Sequence, residues 1–237
     1  MKDGLLFLDC DTNEYRVAKR NPKMPPFEIC IFFSDLSHNL VNSDYNLRVY
    51  EFKVAACDML TYTGQPLKTF EKTFLRDIPK SIFDKTKITL PDCFARRAEH
   101  FYTEYRRVRQ GVTAWESGNI KLFGKLSFDS CEFSMNNYEC GSTELIATYK
   151  IMSKLPGVFG GRLSVTGFKG SVIALVNSEF NDSIEKSITD QYFAQFPEYE
   201  GLFSVNWVTP DDGTRFITEI FSFTVSNFIY IYGHFYR

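Results

Sequence analysis

Two aspartates near the start of the sequence have the side chains and the spacing of a catalytic pair of carboxylates. Asp9 and Asp11 follow the apolar run Leu5–Leu8, and Thr12 comes directly after them. Carboxylates in such a motif can act as nucleophiles or bind Mg²⁺. Asp9 and Asp11 are therefore the first candidates for a catalytic pair.

This pattern of apolar residues followed by Asp-x-Asp-Thr resembles the opening motif of haloacid-dehalogenase-like phosphatases. The resemblance implies that Asp9 is a nucleophile, that Asp11 is a general acid or base, and that Mg²⁺ bridges the carboxylate and the phosphate. A second apolar run ends in Ser34, and Asp211 with Asp212 offers a late acidic motif. Only about twenty residues separate the first two motifs, too few for the crossover helix that parallel strands require. A Mg²⁺-dependent phosphatase is therefore an alternative and not the main prediction.

The other residues that often carry chemistry form no recognisable site. His38, His100 and His234 lie far apart and lack the spacing of metal ligands. The glycine-rich loop 156–161 matches neither a Walker loop nor a dinucleotide fingerprint. No two cysteines form a CxxC pair. The six cysteines are Cys10, Cys30, Cys57, Cys93, Cys131 and Cys140. We therefore predict that the protein is not an enzyme, with no catalytic residue, no metal ligand and no required cofactor.

The charge composition excludes several classes of partner. The 27 basic residues nearly balance the 29 acidic ones, so the net charge is −2 and no overall field attracts nucleic acid or an anionic membrane. No apolar run approaches the ~18 residues of a transmembrane helix, and no signal segment opens the chain. These features predict a soluble intracellular protein with reduced thiols, no membrane partner and no specific nucleic acid.

Alternating apolar and polar residues predict a chain built mainly of strands. The clearest example is the segment 215–237, where aromatic and β-branched residues alternate with serine and threonine. The other predicted strands include 27–33, 46–54, 67–75, 120–128 and 145–152. Helices are predicted to begin at Asp92 and at Asp182, because apolar residues recur there every three or four positions. A turn-rich linker, Asn21–Pro26, predicts an N-terminal arm at 1–26 and one domain at 27–237.

Four collinear segments resemble cypovirus polyhedrins, the proteins of the crystals that occlude insect cytoplasmic polyhedrosis viruses. The segments are an early hairpin with a polar turn, a Pro-Asp-x-aromatic turn, a strand end with glycine, and a Val-Asn-aromatic stretch. The matching positions are Ser34, Asp35, Ser37, Pro91, Asp92, Arg97, Gly167, Lys169, Val205, Asn206, Trp207 and Pro210.

The resemblance implies both a fold and a function. The fold is mainly β, of the α+β class: an antiparallel, jelly-roll-like β-sandwich with a few peripheral helices. The function is structural, with self-assembly through homotrimers into a crystal lattice in the cytoplasm of an infected host cell. These occlusion bodies, or polyhedra, embed and protect virus particles. Members of the family hold nucleotides between chains, which implies a structural nucleotide here, although no residue of this sequence marks its site.

The tyrosines predict how such a lattice responds to pH. The 13 tyrosines and 6 cysteines are neutral near pH 7 and ionise in strong alkali, since their reference pKa values are ~10 and ~8.5. Like charges in close contact then repel one another, so the lattice is expected to dissolve in an alkaline insect midgut. The candidate pH-responsive or interface residues are Tyr230, Tyr232, Tyr236, Tyr102 and Tyr105. A generic β-rich protein-binding module, monomeric in solution, is the remaining alternative.

Overall fold

Helices contribute more residues than strands to the described part of the chain, and they pack around one small sheet. A computed structural model describes residues 4–34, 44–164 and 170–209. Within these ranges, the strands are β1 (Gly4–Leu8), β2 (Tyr15–Lys19), β3 (Glu28–Phe33), β4 (Val158–Leu163), β5 (Ser171–Val176) and β6 (Ser204–Val208). The α-helices are α1 (Tyr45–Tyr62), α2 (Lys80–Thr86), α3 (Asp92–Glu116), α4 (Ile120–Asn137), α5 (Thr143–Met152) and α6 (Asn181–Gln195).

The strands form a hairpin and a four-stranded antiparallel sheet. β1 pairs with β2, and the sheet has the order β4-β5-β3-β6. In its register, Phe33 of β3 lies opposite both Ser171 of β5 and Ser204 of β6, while Leu163 of β4 lies opposite Val172. The carboxyl ends of β3 and β4 and the amino ends of β5 and β6 therefore meet at one end of the sheet.

Helices cover both faces of this sheet. Cys30 and Phe32 of β3 pack into the larger hydrophobic core, whereas Ile29 of the same strand packs into the smaller one. On β5, Ala174 faces the larger core and Leu175 the smaller. Because both faces are buried, β3 and β5 have nearly continuous apolar sequences instead of an alternation of apolar and polar residues.

The long helix α3 passes through both cores. Its amino half contributes Phe101 and Tyr102 to the larger core, and its carboxyl half contributes Val112 and Trp115 to the smaller core. Its 25 residues correspond to about 37 Å of helix. One continuous helix thus connects the two apolar clusters that hold the sheet.

Side-chain caps define where two of the helices begin. The Asn119 side-chain oxygen accepts a hydrogen bond from the Leu122 N–H at 3.0 Å at the start of α4. At the start of α5, the Ser142 hydroxyl accepts one from the Leu145 N–H at 3.3 Å. Each bond satisfies a backbone donor that has no partner within its helix, which stabilises the helix start.

The α4 helix and the β4 strand touch each other through their backbones. A Cβ atom at Gly124 of α4 would overlap the carbonyl oxygen of Phe159, and one at Gly160 of β4 would overlap the backbone of Gly124. Only two glycines allow this approach, because every other residue carries a Cβ atom. The contact fixes α4 against the sheet at one point.

The predicted jelly-roll-like β-sandwich is wrong. The described residues form one four-stranded sheet with helices on both faces, together with a separate hairpin. Three predicted strands, 46–54, 120–128 and 145–152, lie within α1, α4 and α5. The predicted strand at 27–33 agrees with β3, and the two predicted helix starts agree with α3 and α6 within one residue.

The wrong prediction of a strand at 120–128, which lies in α4, has a clear physical cause. The buried face of α4 contains Gly124, Ser130 and Ser134 beside Ile120 and Phe123. Since small and polar residues occupy positions that face the interior, the apolar stripe with helical period is interrupted. The apolar residues that remain between 120 and 128 imitate the alternation of a strand.

Three other expectations concern the ends of the chain and its environment. The segment 215–237, predicted to form a strand, lies outside the described residues. The division at residue 26 falls just before β3 and stays a prediction. Among the described residues, no helix has both the length and the apolar character needed to cross a membrane.

The glycine contact predicts a large loss of stability for Gly124→Ala. The added methyl group collides with backbone that cannot rotate away, so we expect the free energy of unfolding to fall by about 3 kcal/mol or more. Denaturant-induced unfolding followed by circular dichroism measures this value.

Gly111→Ala in α3 is the matched control. A Cβ atom there would meet the Phe123 ring at 3.7 Å, an ordinary contact, and alanine favours a helix over glycine by about 1 kcal/mol. The control should be as stable as the original protein or more stable. Equal stability of the Gly124→Ala variant would contradict the backbone contact.

Candidate functional site

Four serines and a glycine meet at one end of the sheet, which we call the serine end. They are Ser34, Ser164, Gly170, Ser171 and Ser204. The Gly170 carbonyl accepts hydrogen bonds from the Ser34 N–H at 3.5 Å and from the Ser34 hydroxyl at 3.1 Å. The Ser164 N–H donates to the Ser171 carbonyl at 2.9 Å, and Ser204 begins β6. The chain thus leaves the sheet at Ser34 and Ser164 and re-enters it at Gly170.

Contacts through the α4–α5 connection (138–142) link the amino end of α1 to the serine end. Arg48, in the first turn of α1, donates from Nε to the Tyr138 carbonyl at 2.8 Å. A Cβ atom at Gly141 would lie 3.3 Å from the Leu163 side chain at the end of β4. The Leu163 N–H also donates to the Cys131 thiol of α4 at 3.4 Å. The α4–α5 connection therefore contacts the amino end of α1 and lies close to the end of β4, and we take the serine end and the amino end of α1 together as the candidate site.

A group of four charged side chains, which we call the buried ion network, fixes this arrangement. Its members are Arg48, Glu51, Arg97 and Glu139. Arg97 donates to Glu51 Oε2 and to Glu139 Oε2, both at 2.7 Å. Arg48 donates to the same oxygen of Glu51 at 3.1 Å, and its other terminal nitrogen lies 3.2 Å from Glu139 Oε2. The Arg97 side chain is 1% exposed and that of Arg48 is 7% exposed. Glu139 is 40% exposed, so the network joins α1, α3 and the α4–α5 connection from the interior to the surface.

Glu139 sits at the centre of these bonds in an uncommon backbone conformation. Its φ is +56°, in the left-handed region that side chains other than glycine seldom adopt. Arg96 adds an ion pair to Glu139 Oε1 at 2.5 Å. Burial raises the pKa of the Glu139 carboxyl, but hydrogen bonds from Arg97 and Arg96 outweigh it, so the pKa lies below its ordinary value. The carboxylate therefore stays ionised at neutral pH.

The amino end of α1 presents groups that can bind a polar ligand. Asp44 precedes the helix and makes no capping hydrogen bond with its side chain. Burial raises the pKa of the half-buried Tyr45 phenol, so this group is a neutral hydrogen-bonding partner at pH 7. The first N–H groups of a helix carry a partial positive charge and have no partner within the helix. This end of α1 suits a ligand rich in hydroxyl groups or bearing a negative charge.

The described residues contain no evident metal centre. No group of three or more His, Cys, Asp or Glu side chains in this part of the chain could hold a metal ion. His100 is buried with its ring stacked on Tyr138, the centroids 5.3 Å apart. His38 and His234 lie outside the described residues.

Asp9 and Asp11 lie in the turn of the β1–β2 hairpin, where a structural role accounts for them. Arg76 donates to both carboxylate oxygens of Asp9, at 3.2 and 3.1 Å. The Asp11 and Thr12 N–H groups donate to Asp9 Oδ1 at 2.9 and 3.3 Å. Hydrogen bonds from Arg76, followed by that from the Asp11 N–H, lower the pKa of Asp9 from 3.8 to about 2. Asp9 thus anchors the hairpin turn to the 75–77 segment.

Twelve positions carried the polyhedrin resemblance, and those that the structure describes lie in different parts of the fold. Ser34 lies at the serine end, Arg97 in the buried ion network, and Pro91 and Asp92 at the start of α3. Val205, Asn206 and Trp207 lie on β6. The positions outside the described residues are Asp35, Ser37, Gly167, Lys169 and Pro210.

Two of the five tyrosines proposed as pH-responsive or interface residues are described. Tyr102 is buried, and its hydroxyl donates to the Ile78 carbonyl at 2.9 Å. Burial raises the pKa of Tyr102 above its ordinary value. Tyr105 is 40% exposed and accepts a hydrogen bond from Arg109 at 2.8 Å. The positions outside the described residues are Tyr230, Tyr232 and Tyr236.

The sequence contained one signal for the site that the strand prediction obscured. Asp44, Arg48 and Glu51 are spaced by four and three residues, which is the spacing of ion pairs on a helix. That spacing indicates a helix at the point where 46–54 was predicted to be a strand. The second cation of the network, Arg97, lies 46 residues after Glu51, so its place in the network could not be inferred from local spacing.

Known proteins similar to this chain are sugar kinases. The chain is 38% identical to galacturonokinase of Arabidopsis thaliana over 82% of its length, and this match covers 46% of that protein. It is 32% identical to galactokinase of Thermotoga maritima over 82% of its length, which covers 51% of that protein. The chain spans about half the length of the curated relatives it matches. No protein-family model matches it.

A solved structure supports the same relationship. The crystal structure of Lactococcus lactis galactokinase complexed with galactose matches 85% of this chain and 49% of its own, with a TM-score of 0.70 and 25% sequence identity. The described fold, with helices packed on both faces of a sheet, therefore resembles a galactokinase and not a sandwich.

These similarities overturn the functional predictions from sequence. The resemblance to polyhedrins is wrong, and with it the structural role in occlusion bodies, the homotrimers, the crystal lattice and the embedded virus particles. The prediction of a protein that is not an enzyme is also wrong, because the similar proteins are kinases. Neither a phosphatase using Asp9 and Asp11 nor a generic β-rich binding module agrees with these relatives. The collinear motifs were too short to distinguish a common ancestor from chance.

The buried ion network predicts a severe effect of Arg97→Ala. Removal of the guanidinium leaves the buried Glu51 carboxylate with Arg48 alone, whereas the exposed Glu139 keeps Arg48 and Arg96. The free energy of unfolding should therefore fall by about 3 kcal/mol. Denaturant titration at pH 7 measures the change. Arg109→Ala on the same helix is the control, since Arg109 is exposed and should cost less than about 1 kcal/mol. Similar losses for both variants would mean that the network adds nothing beyond an ordinary surface arginine.

The pKa of Asp9 predicts a pH-dependent effect of Asp9→Asn. The pKa in the folded protein, about 2, lies below the ordinary 3.8. Ionised Asp9 therefore stabilises the fold above about pH 4, and this contribution is lost as the pH falls towards 2. Thermal unfolding of both proteins between pH 2 and pH 7 should show a difference at pH 7 that shrinks towards pH 2. A difference that is independent of pH would contradict the ion pair with Arg76.

Proposed function

We propose that this chain is part of a sugar kinase that transfers a phosphoryl group from a nucleoside triphosphate to galacturonate or to galactose. The observation that carries the proposal is the 38% identity to galacturonokinase over 82% of the chain. Galacturonate is the favoured substrate, because the similarity to galactokinases is lower, at 32% for the Thermotoga maritima protein. The likeness to a galactokinase that was crystallised with galactose supports a site for a hexose or a hexuronate.

In this proposal, the candidate site supplies one side of the sugar pocket. The Tyr45 hydroxyl and the first N–H groups of α1 hydrogen-bond the oxygen atoms of the sugar. A carboxylate on the sugar is attracted by the partial positive charge of the helix end, and Arg48, 3.6 Å from Asp44 Oδ2, offsets the negative charge of Asp44 at this end. The buried ion network holds α1 in position through Arg48, so these groups are already oriented when the sugar arrives. Orientation of this kind lowers the barrier of a transfer reaction, since the reactants lose less freedom in the transition state.

The serine end has a complementary role in the proposal. The Ser34 hydroxyl and N–H both donate to the Gly170 carbonyl, which fixes the two points where the chain leaves and re-enters the sheet beside the sugar. Mg²⁺ commonly bridges the phosphates in phosphoryl transfer. Mg²⁺ at such a site is usually held by one or two carboxylates together with the phosphates of the nucleotide.

Two measurements on the purified protein test the proposal. Galacturonate and galactose are each added during thermal unfolding, and a ligand that binds the folded state raises the unfolding temperature. Release of ADP from ATP in the presence of Mg²⁺ is measured with each sugar. We expect a larger thermal shift and faster ADP release with galacturonate than with galactose. The proposal fails if neither sugar shifts the unfolding temperature and neither supports ADP release.

Tyr45→Phe tests the role given to the amino end of α1. Loss of one hydrogen bond between neutral groups, about 0.5–1.5 kcal/mol, should lower kcat/KM for the sugar, or weaken sugar binding, by about 2- to 13-fold. Tyr62→Phe is the matched control at the other end of α1, where the side chain is exposed and should leave both values unchanged. An unaffected Tyr45→Phe variant would remove Tyr45 from the sugar site.

A further inference from the structure

An open groove of about 500 Å³ lies between the carboxyl half of α3 and the start of α4. Its α3 side is a stripe of residues that recur every three or four positions from Arg106 to Ser117, which is about 16 Å of helix. Its α4 side consists of Leu122, Lys125 and Leu126. The volume is in the range of small-molecule sites, about 300–1,000 Å³.

Two of the five arginines of α3 form no ion pair within the described ranges of the chain, and both line this groove. They are Arg106 and Arg109, and both are exposed. No acid stands three or four positions from either, and Glu99 lies about 10 Å before Arg106 along the helix axis. The two arginines are three positions apart on one face, so their charges repel each other. The arginines of α3 that do form ion pairs are Arg96, Arg97 and Arg107.

The acids on the elements around the groove are engaged by other cations. Asp129 accepts a hydrogen bond from Lys125 at 2.6 Å, so it offsets the charge of the lysine that lines the groove. Glu116, at the end of α3, forms an ion pair with Arg16 of β2. Other pairs are those of Glu104 with Arg107 and of Asp9 and Asp11 with Arg76. The charge of the arginine pair in the groove is therefore not offset by these acids.

Tyr105 holds the guanidinium of Arg109 in place. The guanidinium carbon lies 4.7 Å from the centroid of the Tyr105 ring, which is a cation–π contact. One of its nitrogens also donates to the Tyr105 hydroxyl at 2.8 Å. A guanidinium has five N–H donors, so donors remain for an anion. Arg109 is thus an oriented cation at the edge of the groove.

We propose that this groove binds a nucleoside monophosphate, with the phosphate at Arg106 and Arg109 and the base against Leu122. A phosphate monoester carries a charge of about −1.5 to −2 at pH 7, which matches two guanidiniums. Leu122 is 41% exposed, so a flat base that packs on it removes apolar surface from water. Gln110 and Thr113, between these two ends, have side chains that can hydrogen-bond the ribose hydroxyls.

This site is separate from the proposed sugar site and does not rest on the proposed function. Gln110, in the middle of the α3 side, follows Arg97 of the buried ion network by 13 residues, which is about 20 Å along the helix. A nucleotide in the groove therefore does not contact the groups assigned to the sugar. Its binding is expected whether or not the protein transfers a phosphoryl group.

AMP is the probe, and adenosine and ribose 5-phosphate are its controls. Adenosine lacks the phosphate, whereas ribose 5-phosphate lacks the base. Binding to the purified protein is measured by isothermal titration calorimetry at low ionic strength, because salt screens exposed charges. We expect AMP to bind at least about ten times more tightly than adenosine and several times more tightly than ribose 5-phosphate. Equal binding of adenosine would overturn the role of the arginines, and equal binding of ribose 5-phosphate would overturn the role of Leu122.

Two variants assign the two parts of the ligand to the two ends of the groove. Arg106→Gln should weaken the binding of both AMP and ribose 5-phosphate at least about ten-fold, because a charge-assisted hydrogen bond to the phosphate is lost. Leu122→Ala should weaken AMP binding several-fold and leave ribose 5-phosphate binding unchanged, since only the base contacts this side chain. Both side chains are exposed, and thermal unfolding shows whether each variant is folded.

Lys186→Gln is the matched control for charge. Lys186 is an exposed cation of α6 that does not line the groove, and its replacement removes one positive charge as Arg106→Gln does. We expect this variant to bind AMP like the original protein. An equal loss in the Lys186→Gln and Arg106→Gln variants would mean that AMP responds only to net charge. If the folded Arg106→Gln variant binds AMP like the original protein, the nucleotide lies elsewhere and the proposal is wrong.

Discussion

The direct contact between the backbones of α4 and β4 determines the geometry of the regions around it. Gly124 and Gly160 meet without intervening side chains, so the helix lies on the strand at a fixed point. About two turns further along α4, Cys131 accepts a hydrogen bond from the Leu163 N–H at the end of β4. These two contacts set both the direction of α4 and the position at which β4 ends. The serine end depends on the second contact, because Ser164 follows Leu163 directly in the chain.

The buried ion network performs a different task from the apolar cores. Charges in the interior lose their hydration, so an ion pair there contributes less to net stability than its short distances suggest. Its contribution is orientation, because Arg97 and Arg48 share the same oxygen atoms of Glu51 and Glu139. Apolar contacts would allow α1 to slide, whereas shared hydrogen bonds hold its amino end beside the α4–α5 connection. The groups proposed to bind the sugar depend on this restraint.

Sequence reasoning succeeded where the buried face of an element was apolar and failed where it was polar. β3 was recognisable because its residues are apolar on both faces, and α3 because its apolar residues have helical spacing. α1 was mistaken for a strand because its buried face contains Arg48 and Glu51, which patterns of hydrophobicity treat as exposed. α4 was missed for the related reason that glycine and serine occupy its inner face.

The candidate site could not be predicted from local sequence patterns, because its residues lie far apart in the chain. The serine end joins Ser34 to Gly170, which are 136 residues apart, and the network joins Arg97 to Glu139 across 42 residues. No spacing within a short segment encodes such contacts. The positions that suggested a polyhedrin included Arg97 and Pro91, a buried ion-pair residue and a helix start, which recur in unrelated folds. Similarity along most of the chain identified the relatives that isolated motifs could not.

The position of α3 in both hydrophobic cores affects how the protein unfolds locally. Phe101 and Tyr102 anchor one half of this helix in the larger core, and Val112 and Trp115 anchor the other half in the smaller core. A helix gains little from hydrogen bonds unless neighbouring turns are also formed, so its two halves tend to order together. Loss of packing in one core therefore weakens the packing of the other core, because both cores contain residues of α3. Amide protons in both clusters accordingly exchange with solvent through one cooperative event and not through two separate local openings.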